Sequence, residues 1–316
     1  MPQYDLDEWR AVMRGEKKQP CMEYTVIAFP NEDIRDAYLD DSSSWPEEEV
    51  RAALRNMLGE SRSVSMLDLV HLETLRKRGI RNFTEFERRL ILSASGKSKE
   101  PVWQGISWVL DLLPHSANAA IEAISAYHLA HLQHFSDLRL IGIEDAIALV
   151  RHRYITQGDT GLERKISVLR SLHPRDLEFL VGALYSAMGY GVSITSQQKD
   201  GGFDVVARRR IERICIECKN WEQKVDVETV RSFCGALYPE HATMGVIVSV
   251  SGFTERGPET AVDYAKKPEW INRLELVDGS SLVALLNAHL GSEWDLRADR
   301  IIGNQKREAT SGMSHR

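Results

Sequence analysis

The run Arg213-Ile-Cys-Ile-Glu-Cys-Lys219 constrains this chain more than any other. Successive side chains of a strand face opposite ways, so Ile214, Ile216 and Cys218 share one face, and Glu217 and Lys219 share the other. The first face supplies core. The second carries an acid and a base side by side. The flanking sequence alternates between helical and strand periods. Leu177, Leu180, Val181, Leu184 and Met188 recur at helical spacing, with Pro174 or Asp176 suited to the first turn and Gly189 as the stop. Val192-Ser-Ile-Thr195 alternates like a strand, and Lys199-Asp-Gly-Gly202 reads as a turn. Phe203–Arg208 and Arg213–Lys219 follow as two strands joined by a short basic turn. Val227–Leu237 reads as a helix and Met244–Val250 as a buried strand. Thr254 is the expected cap of a helix reaching Lys266. A strand at Leu274–Val277 and a helix at Ser280–His289 close the segment. The order α-β-β-β-α-β-α-β-α predicts a mixed sheet with helices on its faces.

That unit, placed at 172–290, is under half of a 316-residue chain. The rest reads as mostly helical. Expected there are a strand at Tyr24–Phe29, helices at Asp33–Asp41 and Pro46–Leu58, and two helical stretches within Leu67–Ala94 broken near Gly79. Three more helices are expected at Trp103–Leu113, Ala119–Leu132 and Ile143–Ile155, with Pro114 and Gly142 as breaks. Ser95–Lys99 and Gln157–Gly161 read as linkers. These divide the chain into a helical region at 1–95, a helical segment at 100–158 suited to regulation or oligomerisation, the α/β unit, and a disordered tail at 291–316. No run approaches the length of a membrane span, and Met1–Lys17 lacks the apolar stretch of a signal peptide. Four cysteines among this many residues are no disulfide framework, so a reducing cytoplasm is the expected setting.

The net charge is −6, which gives no whole-protein basic field. Residues 171–290 carry 13 Lys and Arg against 16 Asp and Glu, so any DNA contact must be local. Lys199, Arg208, Arg209, Arg210, Arg213, Lys219, Lys224 and Arg231 do fall within one short window. In it Asp204 follows a Gly-Gly turn, and Glu217 and Lys219 lie on the next strand. Two carboxylates on neighbouring strands suit Mg²⁺, which prefers oxygen ligands and keeps several waters. A lysine beside them can orient water or neutralise charge on a phosphate. Taken alone, Asp204 also reads as a turn cap and Glu217–Lys219 as an ion pair on an exposed strand.

The pattern D-x₁₂-E-x-K resembles the PD-(D/E)xK nuclease superfamily, and the fuller string resembles the catalytic domain of Mrr-like type IV restriction endonucleases. The matching stretches are Leu177-Glu-Phe-Leu-Val181, Met188-Gly-Tyr190, Asp200-Gly-Gly-Phe-Asp204, Ile216-Glu-Cys-Lys219 with Trp221, Val230-Arg231 before Gly235-Ala236, Ser251-Gly-Phe-Thr254 and Val277-Asp-Gly279. The resemblance implies a restriction-endonuclease-like α/β fold and a Mg²⁺-dependent DNA endonuclease, with Mn²⁺ as substitute. Asp204, Glu217 and the backbone carbonyl of Cys218 would then be metal ligands, and Lys219 the catalytic lysine. Glu178 would be an acid reaching the metal through water. Gln198 and Lys199 would contact the phosphate backbone. Arg208, Arg209, Arg210 and Lys224 are the other candidate DNA contacts. Many relatives have Gln where this chain has Glu217, which supplies a full charge.

Other motifs carry less. Cys215-x-x-Cys218 lacks the second pair of a zinc site, and on a strand its thiols face opposite ways. His128, His131 and His134 recur at three-residue spacing without an HExxH pattern. Gly96-Lys-Ser98 resembles the end of a P-loop, but position 91 is Ile. The expected function is therefore restriction or anti-phage defence, acting on DNA as a homo-oligomer, with a defence-system partner protein and no membrane contact. The winged-helix module usual in Mrr proteins is not recognisable in residues 1–170, which are expected to sense, regulate or dock. Two other readings stay open. One is a junction-resolving repair or recombination nuclease. The other is a catalytically silent DNA-binding or assembly module.

Overall fold

The structure is a computed structural model and describes residues 5–17, 27–59, 65–95, 105–156, 161–195 and 202–313. It divides into two compact units, residues 1–160 and 161–316. No helix among the described residues is long and apolar enough to cross a membrane.

The first unit is helical. Its elements are α1 (Leu6–Met13), α2 (Glu32–Asp40), α3 (Glu47–Leu58), α4 (Met66–Lys77), α5 (Glu85–Ala94), a 3₁₀ turn (Ser107–Asp111), α6 (Ala117–His131), α7 (Asp137–Arg151) and a π-type turn (His152–Thr156). Asn31, Ser65, Ser116 and Ser136 cap the helices that follow them by accepting backbone N–H bonds. One core runs from Trp9 to Tyr154, so the segments divided at residue 95 pack as a single body. Helix α1 was hidden by its charge. Its Trp9 is fully buried against Phe29 and Tyr38, and Arg10 and Arg14 pair with buried Glu49 at 2.6 and 3.1 Å.

Three expectations are corrected here. Residues 27–29 are not a strand, and 24–26 lie outside the described residues. The backbone N–H of Phe29 instead donates to Asp145 at 2.8 Å. Of the helix expected at 103–113, only the 3₁₀ turn forms, with 103 and 104 outside the described residues. Gly142 does not break a helix: α7 runs through it from Asp137. A Cβ there would overlap the Ile27 carbonyl, so glycine serves close approach rather than a break.

The second unit begins with α8 (Leu162–Ser171), which the sequence reading missed, and α9 (Pro174–Ala187). It continues β1 (Gly191–Ile194), β2 (Val205–Arg209), β3 (Glu212–Lys219), α10 (Val227–Leu237), β4 (Met244–Ser249), α11 (Ala261–Ala265), β5 (Leu274–Asp278) and α12 (Gly279–Leu290). The sheet order is β1-β2-β3-β4-β5. The first two pairings are antiparallel and the last two parallel, which makes β3 the switch between them. One face packs on α8, α9 and α12 through Leu177, Leu180, Ile214, Ile216, Val246 and Leu282. The other packs on α10 and α11 through Val206, Cys215, Phe233, Ile247 and Trp270. This is a restriction-endonuclease-like α/β fold, as expected.

The face of β3 that bears Glu217 is therefore covered at Cys215 and open only near its end. The helix expected from Thr254 starts later. Gly257, at φ 140°, and Pro258 interrupt it, and Thr260 is the cap, its side chain accepting from the Asp263 N–H. Thr254 Oγ1 accepts from the N–H of Ala261 at 3.3 Å. In Val277-Asp-Gly279, Asp278 caps α12 by accepting from Ser281 at 2.8 Å. A Cβ on Gly279 would lie 2.6 Å from the Val250 carbonyl.

The tail is also corrected. After a 3₁₀ turn (Trp294–Arg297) it forms α13 (Ala298–Met313), which packs on α9. Trp294 is fully buried and its indole N–H donates to Asn287 at 3.1 Å, Ile302 joins the core, and Lys306 pairs with Asp176 at 2.5 Å. The low local hydrophobicity concealed an amphipathic helix that packs on α9. Trp294→Ala should cost about 3–5 kcal/mol of stability in urea unfolding. No change in the midpoint would mean that the segment is not part of the folded unit.

Candidate active site

The candidate site lies where β2 begins and β3 ends. Asp204 stands one residue before β2, and its N–H donates to the Ile216 carbonyl at 2.9 Å, so β3 still holds it in register. Its Oδ2 accepts from the backbone N–H of Cys218 at 2.7 Å. That bond places the Asp204 carboxylate against the residue between Glu217 and Lys219. Lys219 Nζ forms an ion pair with Glu217 Oε1 on their shared face. Its ammonium also lies 4.6 Å from the centre of the half-exposed Trp221 ring. Glu178 arrives from the first turns of α9, buried, with Arg175 paired to its Oε2 from the preceding turn. Arg175 is thus the basic partner of Glu178, a residue sequence reading missed. Its i, i+3 spacing to Glu178 was the available signal.

The three acids sit in a dehydrated place. Burial pushes the Asp204 carboxyl above its ordinary range, while the Cys218 N–H, then Lys219 and Arg175, pull it back. Glu217 is raised by burial and pulled back by Lys219. Glu178 is raised by burial and then by the charge of Asp204, against Arg175. Burial and the surrounding carboxylates push the Cys218 thiol well up, so it is no thiolate ligand.

Other candidates fall elsewhere. Gln198 and Lys199 lie outside the described residues. Arg208, Arg209 and Arg210 are not brought to the carboxylates. They sit at the closed end of the β2–β3 hairpin, where Arg209 pairs in register with Glu212, while Asp204 and Glu217 are at the other end. At ~3.3 Å per residue the separation is about 15 Å. Arg209 is committed to structure: it donates to the Tyr190 hydroxyl at 2.9 Å and pairs with Glu212 at 3.1 Å. Lys224 pairs with Glu255 at 3.1 Å, and both line an open cleft of about 560 Å³. Arg170 and Lys266 line it too, with the acids Glu275 and Asp278. The cleft reaches Val250, whose N–H donates to the Lys219 carbonyl at 3.2 Å.

Cys215 and Cys218 pack on opposite faces of the sheet, as their spacing predicts. His131 is buried between Asp68, at 3.1 Å, and the Tyr127 carbonyl, at 2.9 Å, while His134 lies beyond the end of α6. Gly96–Ser98 lies outside the described residues.

Among the described residues, no three His, Cys, Asp or Glu side chains are gathered to cage a metal. A hard divalent cation that keeps several waters does not need such a cage. Asp204 and Glu217 supply two carboxylates. In an extended strand a residue's N–H and C=O point the same way, so the Cys218 carbonyl faces the Asp204 side as its N–H does. The donors are all oxygen and anionic on balance, and they fit such an ion.

A mixed sheet with an acid, a second acid and a lysine at the end of its central strand defines a restriction-endonuclease-like domain. Comparison agrees: residues 169–286 match the family model described as restriction endonuclease, the Mrr catalytic domain. Over 136 residues the chain is 29% identical to the type IV methyl-directed restriction enzyme EcoKMrr of Escherichia coli (strain K12), covering 40% of this chain and 42% of that enzyme. Over 141 residues it is 26% identical to the uncharacterized protein y4cE of Sinorhizobium fredii (strain NBRC 101917 / NGR234), covering 42% of this chain and 35% of that protein. The chain thus spans less than half the length of these curated relatives. The crystal structure of the protein of unknown function AF1548 aligns at a TM-score of 0.30 and 16% identity, over 44% of this chain and all of that one.

The raised Asp204 carboxyl has a consequence for stability. An acid whose folded pKa exceeds its unfolded value binds its proton more tightly when folded. Its ionisation then costs stability, which falls as pH rises through the unfolded value towards the folded one. Asp204→Asn removes that cost and keeps an oxygen to accept the Cys218 N–H. In EDTA at pH 7.5 the variant should melt above wild type. The gain should vanish below about pH 4. A wild type more stable at neutral pH would show that this carboxylate is not desolvated.

Proposed function

We propose that this protein is a divalent-metal-dependent DNA endonuclease of a restriction system, with its active site at Asp204, Glu217 and Lys219. The observation that carries the reading is the Asp204–Cys218 bond, which brings two half-buried carboxylates and a lysine to the end of β3. The family of residues 169–286 and the E. coli relative support the same class. Asp204, Glu217 and the Cys218 carbonyl would hold Mg²⁺, or Mn²⁺ in its place. Such an ion lowers the pKa of a bound water and neutralises charge on a phosphate oxygen.

The chain's own residues do the rest. Water adds to phosphorus and gives up a proton to solvent, one P–O ester bond breaks, and the leaving oxygen gains a proton from solvent. Lys219, paired with Glu217 and steadied over Trp221, faces the charge that grows on the phosphoryl oxygens. Arg170, Lys224 and Lys266 along the adjoining cleft are donors for flanking phosphates, although Glu255, Glu275 and Asp278 balance their charge there. The helical unit at 1–160 serves as the regulatory or partner-docking part. Cutting both strands needs two sites, which a homo-oligomer provides.

Supercoiled plasmid should be nicked with Mg²⁺ or Mn²⁺ and spared with EDTA. Lys219→Ala and Asp204→Asn should each slow cutting by at least about 100-fold, the scale of losing one stabilising group. Methylated plasmid belongs in the same assay, because the E. coli relative is named methyl-directed. Equal cutting by both variants would place the active site elsewhere. A full chain that cuts no DNA form under any metal would favour the silent module.

A further inference from the structure

Arg175 sits where its charge does not help the helix that carries it. It is the second residue of α9, and a cation in a first turn faces the positive end of the helix dipole. The return for that placement is its ion pair with Glu178, at the edge of the carboxylate cluster. The side chain is only partly covered, at 26% exposure, and it leans over the Phe179 ring at 5.0 Å. Its one ion-pair partner among the described residues is Glu178, and its charge also reaches Asp204. The pair offsets part of the cost of burying Glu178, so displacing the arginine needs a ligand that repays it.

The charges of the site give the residue its role. Asp204, Glu217 and Glu178 bring three negative charges to one place, and Lys219 and Arg175 bring two positive ones. A divalent ion on the first two acids would leave one positive charge in excess. That excess matches one phosphodiester. Lys219 is already paired with Glu217 on the strand, whereas Arg175 hangs from the edge of the site on a flexible stem. A guanidinium presents a fork of donors that fits phosphate oxygens as well as it fits a carboxylate.

We propose that Arg175 is a phosphate-contacting residue of this site, parked on Glu178 in the free protein and passed to a DNA phosphate when the duplex binds. Glu178 then has a second part to play, as the competitor that keeps the arginine in place. The inference rests on the nuclease reading above, but it concerns binding and is tested without cleavage.

The test is binding of a short labelled duplex to the full chain with Ca²⁺ in place of Mg²⁺, an ion that also takes carboxylate oxygens, followed by anisotropy across a salt series. Losing one phosphate contact reduces the slope of log K against log salt by about 0.9, which is roughly an 8-fold weaker affinity at 0.1 M salt. Arg175→Ala should show both changes. Arg175→Met, which keeps the stem over Phe179, should bind as weakly, and adding Glu178→Gln, which removes the carboxylate left unpaired, should restore melting towards wild type without restoring the slope. Arg175→Lys should recover the slope. Glu178→Gln should tighten binding severalfold, and the gain should disappear when Arg175→Ala is added, as a double-mutant cycle detects. An unchanged slope in the alanine and methionine variants overturns the proposal, as does a Glu178→Gln gain that survives without the arginine. If wild type binds no duplex at all, the nuclease reading falls together with it. Binding with an unchanged slope sinks the arginine alone.

Discussion

The hydrogen bond from the Cys218 N–H to the Asp204 carboxylate holds the candidate site together. It is a local bond between adjacent strands, yet it decides where a charge sits. Without it, Asp204 would be a loop acid just ahead of β2. With it, the carboxylate is fixed against the residue that separates Glu217 from Lys219. The antiparallel register of β2 and β3 makes the bond possible, because Val205 pairs with Ile216 and leaves Asp204 opposite the last turns of the β3 ladder. The parallel pairing of β3 with β4 then covers the other side of that strand end.

The same arrangement costs stability. Carboxylates are taken partly out of water, and their protons are held more tightly for it. The ion pairs with Arg175 and Lys219 offset part of that cost. Such a site is poised for a ligand that brings positive charge, because a cation relieves repulsion that the fold otherwise tolerates. The surrounding core supplies the margin: both faces of the sheet are covered, and α13 adds Ile302 beneath α9.

Much of this was legible in the chain. The period-two run from Ile214 to Lys219 specified β3 and the shared face of its acid and base. The stretch Val277-Asp-Gly279, quoted only for its resemblance, proves to be a helix cap with its glycine close against the Val250 carbonyl. The misses share a cause. Helices α1, α8 and α13 interleave charged with apolar residues, and each is stabilised by a partner remote in sequence. Gly142 looked like a break because a single-residue rule cannot see the Ile27 backbone beside it. The arginines at 208–210 looked close to the site because sequence distance ignores which end of a hairpin is open.

Sequence alone determined the residue types of the candidate chemistry and the order of elements that carries them. It did so because strand alternation and helical period are properties of the local backbone. Tertiary structure decided the rest. It set which carboxylate meets which strand end, paired Arg175 with Glu178, left Arg209 to Tyr190 and Glu212, and turned an expected tail into a helix. Those outcomes depend on burial and on register between distant segments. No local pattern encodes them, because each is a free-energy balance that exists only once the partner surface has formed.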